Sequence, residues 1–171
     1  ASGGVGSVAI TLLAHLGYKV AAVTGRAEAN GPLLKQLGAT TIIDRSVFEE
    51  PARPLDKQLW AGAIDTVGSK VLAKVLSQIN YNGAVAICGL AGGFDLPTTV
   101  MPFILRNVRL QGIDSVMCPF EKRQQAWQRL TELLPASYFE QACREVALEQ
   151  VTECAEAITN GQITGRVVIK L

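Results

Sequence analysis

Ala1-Ser2-Gly3-Gly4-Val5-Gly6 opens the chain, and residues 1, 3 and 6 have the spacing of a Gly-x-Gly-x-x-Gly turn with alanine in the first place. Val5, Val8, Ala9, Leu12, Leu13 and Leu16 then form an apolar stripe at helical period, and Gly17 stands where a helix C-cap glycine belongs. A glycine turn feeding a helix N-terminus offers an anion unpaired amide N–H groups and the positive end of the helix dipole. Gly3 removes a side chain where a pyrophosphate must approach, and Gly6 lets the helix pack close on a strand. Ser2, Gly3, Gly4, Val5 and Gly6 are therefore candidate phosphate-binding residues. The same turn also fits a plain strand-to-helix corner. The helix, followed by the short apolar run Val20–Thr24, is the order a nucleotide site needs. The strand that should precede the turn is expected outside this chain.

The end of the second strand of such a fold decides which dinucleotide fits. An NAD site usually places Asp or Glu about 20 residues beyond the turn, to bind ribose hydroxyls. Here that place holds Thr24-Gly25-Arg26, with no carboxylate before Glu28. A carboxylate would repel a 2′-phosphate, whereas a guanidinium can grip it bidentately. Thr24 and Arg26 are thus candidates for the adenosine end, with a solvated surface charge as the plainer alternative for Arg26. Arg45, after the run Thr41–Asp44, is expected on the same rim, to clasp the phosphate or stack on adenine. A surface role fits it as well. Ligands lie outside the carboxyl ends of strands, so Val67 and Gly68 are expected beside Cys88, Gly89 and Leu90 at the nicotinamide half. Backbone groups there can hydrogen-bond a carboxamide. Cys88 reads as a small buried packing residue rather than a nucleophile, because no histidine is near it in sequence.

The elements that must position these residues alternate. After the first helix come strands at 20–24 and 41–44, with a polar stretch through Pro32 and a short helix around Leu33, Leu34 and Leu37 between them. Ser46 and Glu49 have capping-box spacing for a brief helix. A strand over 61–67, a helix from about Lys70 to Ile79, a turn at Tyr81-Asn82-Gly83 and a strand over 84–88 follow. A loop and short helix lie between Pro97 and Arg106. Residues 108–114 alternate polar and apolar, which suits a strand at a sheet edge. Pro119 opens a long helix whose inner side includes Ala126, Trp127, Leu130, Leu133 and Leu134. The tail adds a strand near 145–148, a helix over 151–160 and a final strand at 167–169. Strands alternating with helices predict an α/β fold with a doubly wound, Rossmann-like parallel sheet over residues 1–135, followed by a C-terminal helix/strand tail over 136–171.

Composition narrows the classes. The 171 residues carry a formal net charge of +1, which gives no case for nucleic acid or a membrane surface. No apolar run approaches the roughly 20 residues of a membrane span, and no signal peptide precedes the turn. The four cysteines are far apart, so free thiols in a reducing cytoplasm are expected. His15 is the single histidine and lies in the first helix, which leaves no plausible zinc ligand set. Neither a Gly-x4-Gly-Lys loop, nor a Tyr-x-x-x-Lys pair, nor a Gly-x-Ser-x-Gly elbow occurs.

Ala-Ser-Gly-Gly-Val-Gly-Ser at 1–7, Leu-Gly-Ala at 37–39, Ile-Asp-Thr-Val-Gly at 64–68 and Gly-Arg-Val-Val-Ile-Lys at 165–170 resemble the medium-chain dehydrogenase/reductase superfamily. The stretches 60–68, 88–93 and 96–112 are similar to the bacterial NADPH-dependent acrylyl-CoA reductase group, a zinc-free branch often labelled quinone oxidoreductase or zinc-binding dehydrogenase. The resemblance implies a catalytic domain preceding this one, whose last segment supplies the first strand of the sheet, and a tail that returns toward it. It implies NADPH as cofactor and hydride transfer to the C=C bond of an α,β-unsaturated acyl-CoA, or of a quinone or enone. A non-catalytic NADPH-binding module is the reading from another class. Substrate-binding and proton-donating groups would lie largely outside this chain, so no catalytic residue is assigned. Relatives in the superfamily often dimerise through the cofactor domain, which together with the 108–114 edge predicts a homodimer.

Overall fold

The apolar stripe behind the glycine turn folds as helix α1 (Gly4–His15), and Gly17 closes it. Gly17 N–H donates to Ala14 O and Tyr18 N–H to Leu13 O, both at 2.9 Å, the paired bonds of a Schellman end. A computed structural model describes residues 1–171. In chain order α1 is followed by β1 (Val20–Thr24), α2 (Ala27–Gln36), β2 (Ala39–Asp44), β3 (Trp60–Asp65), α3 (Ser69–Ser77) and β4 (Ile79–Ile87). Then come α4 (Met101–Arg106), β5 (Arg109–Gly112), α5 (Phe120–Leu133), α6 (Ser137–Ala142), β6 (Cys143–Ala147), α7 (Val151–Thr159) and β7 (Arg166–Lys170). The chain packs as two units, one of residues 1–44 with 124–171 and one of residues 45–123.

In the first unit β1 and β2 pair in parallel, and β6 and β7 form a second parallel pair. Its core joins Ile10 of α1 to Val20, Ala22, Leu34, Leu37 and Ala39, with Tyr138 and Ala142 of α6 completing it. Leu34 has no exposed surface, and burying such a side chain contributes about 1.5–3 kcal/mol. Tyr138 also keeps its polar end satisfied, because its hydroxyl lies 2.9 Å from Ser7 Oγ inside the core. That bond fixes the first turns of α1.

In the second unit β3, β4 and β5 form one parallel sheet in that order, so β5 is an edge as its alternation predicts. Leu72, Ala73, Val75 and Leu76 of α3 are buried. Arg106 of α4 donates to Ser77 O at 2.7 Å and to Asp56 O, tying α4 to the end of α3 and the loop before β3.

All the strand pairs are parallel, and the fold is α/β and Rossmann-like. The expected single sheet is divided between the units.

Four local expectations are corrected. α2 starts at Ala27 and carries Pro32 inside it, so the polar stretch is helical and only one amide bond is forgone. The expected turn at Tyr81-Asn82-Gly83 lies within β4 instead. Asn82 has φ 64, and a Cβ on Gly83 would come 2.4 Å from Ile79 Cγ2, so the Asn-Gly pair makes an irregularity with close packing rather than a reversal. The apolar side of α5 has no buried residue, and Trp127 is 64% exposed. Its stripe is covered only at the C-terminal end, where Leu130, Leu133 and Leu134 are half-buried and Leu134 packs against the first-unit core. Cys88 is exposed rather than buried, because β4 ends at Ile87 and Cys88 already belongs to the loop.

Candidate functional site

A Cβ on Gly6 would stand 2.3 Å from Ala1 O, so only glycine lets the chain double back against the helix there. A Cβ on Gly3 would meet nothing within 4 Å, so its face is open to an approaching group. The first intrahelical bond runs from Ser7 N–H to Gly3 O at 2.9 Å, and no side chain caps α1. The Gly4, Val5 and Gly6 amides therefore remain as donors at the positive end of the helix.

A second positive group converges on that point. The Arg166 guanidinium lies over Gly4, with Nη2 2.7 Å and Cζ 3.0 Å from where a Cβ on Gly4 would be. Its backbone is placed by β7, and the preceding Gly165 N–H donates to Ser2 O at 2.7 Å. Cation against helix N-terminus is unfavourable by itself and favourable once an anion sits between them. Reading the sequence did not single out Arg166 as a candidate, since it is far from Gly4 along the chain. The signal available was the Gly165-Arg166 pair opening the final strand.

At the end of β1, Thr24 is buried and its Oγ1 accepts the Arg26 amide N–H at 3.2 Å. Thr24 thus orients Arg26 through the backbone. The Arg26 guanidinium is half-buried and donates to Gln162 O, Ile163 O and Thr164 Oγ1 at 3.2, 3.1 and 3.3 Å. The tail loop before β7 therefore holds it.

In the second unit, Arg45 is exposed at the start of a short 3-10 turn, Arg45–Phe48. The loops after β3 and β4 lie side by side, as expected for Val67, Gly68, Cys88, Gly89 and Leu90. Cys88 N–H donates to Asp65 O at 3.0 Å and Gly92 N–H to Val67 O at 2.7 Å. Asp65 holds the first loop by accepting from Gly68 and Val67 N–H at 2.7 and 3.1 Å. Burial raises its carboxyl above the usual range, and those two bonds pull it back only in part. The glycines are needed for this approach, because a Cβ on Gly89 would sit 2.5 Å from Thr66 O. A hollow of about 640 Å³ opens here, lined by Gly68, Cys88, Gly89, Leu90, Phe94 and Ile113 among others. The Cys88 thiol donates to Asp65 O at 3.5 Å, and loss of water around it, then the Asp65 charge, push its pKa up. It is the thiol, not a thiolate, that faces the hollow.

Taken by itself, the first unit is a Rossmann-like α/β fold in which the uncapped start of α1 and the Arg166 guanidinium meet at Gly4. Residues 4–135 match the zinc-binding dehydrogenase family, and the chain belongs to it. It is 63% identical over 171 residues to the probable acrylyl-CoA reductase AcuI of Escherichia coli K12, covering the whole chain and 52% of that protein. The yhdH oxidoreductase of Salmonella enterica, solved with NADP, superposes with a TM-score of 0.97 at 61% identity, over 99% of this chain and 52% of that one. Bacillus subtilis YhfP, a putative quinone oxidoreductase, is 47% identical, and its NAD-bound structure gives a TM-score of 0.92 over 98% of this chain and 51% of that one. The chain spans about half the length of these relatives. Despite the family's description, no three His, Cys, Asp or Glu side chains gather to hold a metal ion, so the residues present do not fit zinc. No helix is long and apolar enough to cross a membrane.

Proposed function

We propose that the chain is the NADPH-binding part of a reductase acting on the C=C bond of an α,β-unsaturated acyl-CoA. The observation that carries the cofactor reading is the convergence of Arg166 and the bare N-terminus of α1 on the open face of Gly3 and Gly4. The Gly4, Val5 and Gly6 amides and the Arg166 guanidinium would hold the pyrophosphate, with Ser2 and Gly3 at its side. Arg26, oriented by Thr24, would meet the 2′-phosphate, and Arg45 is a further candidate for it. Val67, Gly68, Cys88, Gly89 and Leu90 would border the nicotinamide, where backbone groups orient its carboxamide. NADPH, when bound, supplies the hydride.

The acyl-CoA substrate rests on likeness to the E. coli enzyme, and YhfP favours a quinone or enone as the second reading. Steady-state rates of the full-length protein with NADPH should be higher with acrylyl-CoA than with a quinone. A quinone preferred in kcat/KM would reverse the two readings.

We also propose a homodimer built on the β5 edge, in a reducing cytoplasm. Ile113 N–H donates to Ile87 O at 2.8 Å. With the two-residue strand period, the Leu110 and Gly112 amides then face the open side. Phe94, Val100 and Ile104 nearby in sequence are exposed, which suits a covering partner. Leu110→Pro removes an outward amide without touching the β4 ladder. The full-length variant is expected to sediment as a folded monomer at micromolar concentration, and a folded dimer would place the interface elsewhere.

A further inference from the structure

The loop that holds Arg26 contains one side chain among its three acceptors. The Gln162 and Ile163 contacts are to backbone oxygens, so the hydroxyl of Thr164 is the contact that sequence can vary. That hydroxyl has a single proton, and it is given to Asn30 Oδ1 at 3.1 Å. Its lone pairs are thereby turned to Arg26 Nη2, 3.3 Å away. Asn30 is rigidly placed: it lies in α2, is 5% exposed, and its own amide N–H donates to Arg26 O at 2.9 Å. Its Nδ2 is the buried side-chain polar atom with no hydrogen-bond partner, so the Thr164 hydroxyl is what engages the Asn30 amide group.

We propose that Thr164 is a positioning residue that presets the Arg26 guanidinium for a 2′-phosphate and so helps select NADPH over NADH. This rests on the reading of Arg26 as the 2′-phosphate ligand. A guanidinium has five N–H donors. The tail loop engages Nη1 and Nη2 and leaves the Nε–H and one Nη1 proton for a ligand. Holding a long, flexible side chain in place before the ligand arrives lowers the ordering cost of binding. NADH carries a neutral 2′-hydroxyl where NADPH carries the phosphate, so the charge-assisted benefit falls on NADPH.

The test measures dissociation constants of NADPH and NADH by fluorescence titration of the full-length protein and its Thr164→Val, Thr164→Ser and Arg26→Ala variants. Valine keeps the shape of threonine and removes both hydrogen bonds, and serine restores the hydroxyl. Thr164→Val should weaken NADPH about 3- to 10-fold and leave NADH unchanged, with Thr164→Ser close to the parent. Arg26→Ala should weaken NADPH selectively by about 10- to 150-fold. If Arg26→Ala is selective but Thr164→Val is not, the positioning role is overturned and the Arg26 reading stands. If Arg26→Ala weakens both cofactors alike or neither, the 2′-phosphate reading itself fails, and the role of Thr164 with it.

Discussion

Arg166→Ala is expected to weaken NADPH and NADH by the same factor, about 10- to 150-fold. The two cofactors share the pyrophosphate and differ at the 2′-position, so loss of a pyrophosphate contact cannot discriminate between them. A charge-assisted hydrogen bond to such a group contributes about 1.5–3 kcal/mol, which sets that range. Alanine also leaves the α1 N-terminus intact, with its Gly4, Val5 and Gly6 amides still available, so binding should be reduced rather than abolished. Titration of both cofactors against the full-length variant checks this. A loss confined to NADPH would move Arg166 to the 2′-phosphate. Unchanged binding of both would remove it from the site.

Gly165→Ala should be the most damaging single methyl in the first unit. Gly165 has φ +69, where an L-residue is strained, and an added Cβ would stand 2.1 Å from Ala142 O. The strain costs on the order of 1–2 kcal/mol and the forced backbone shift about 1–3 kcal/mol more. At roughly 2–4 °C per kcal/mol for a chain of this size, the unfolding midpoint should fall on the order of 10 °C. Gly161→Ala is the internal control. It has φ +66 but nothing within 4 Å of an added Cβ, so it bears the strain without the clash. Thermal unfolding of the two variants should therefore separate them clearly. Equal midpoints would mean that the α6–β6 corner yields, and that Gly165 is retained for its dihedral alone.

The residues that were legible in the sequence are those whose role is local. The helix after the glycine turn and its Gly17 cap act within a few residues and are found as read, whereas the stripe is not the buried face of α1: Val5 and Leu16 are exposed, and Ser7, Ile10 and Thr11 are buried. The neighbouring strand ends were legible too, because alternation of strands and helices fixes parallel order and brings Val67 and Gly68 beside Cys88 and Gly89. Asn82-Gly83 misled because the pair is a turn signal only when the flanking strands are free to reverse. Here β4 stays paired to β3 on either side of it. Cys88 misled by one residue, since β4 ends at the half-buried Ile87 and Cys88 lies exposed in the loop that follows. Arg166 and Thr164 were out of reach for another reason. Their partners, Gly4 and Arg26, are brought to them only by tertiary packing, and no periodicity connects the two ends of a chain.

That last feature bears on how the molecule is made. Residues 45–123 are one continuous stretch and can collapse as soon as they leave the ribosome. The other unit is assembled from the beginning and the end of the sequence, through pairs such as Ser2 with Gly165, Ser7 with Tyr138 and Arg26 with Ile163. Contacts so distant along the chain carry a loop-closure cost before any burial rewards them, and they slow folding. The glycine turn is made before residues 45–123 but meets the Arg166 guanidinium only once the final strand is in place. Nascent chains halted before residue 166 would present the turn without the Arg166 guanidinium.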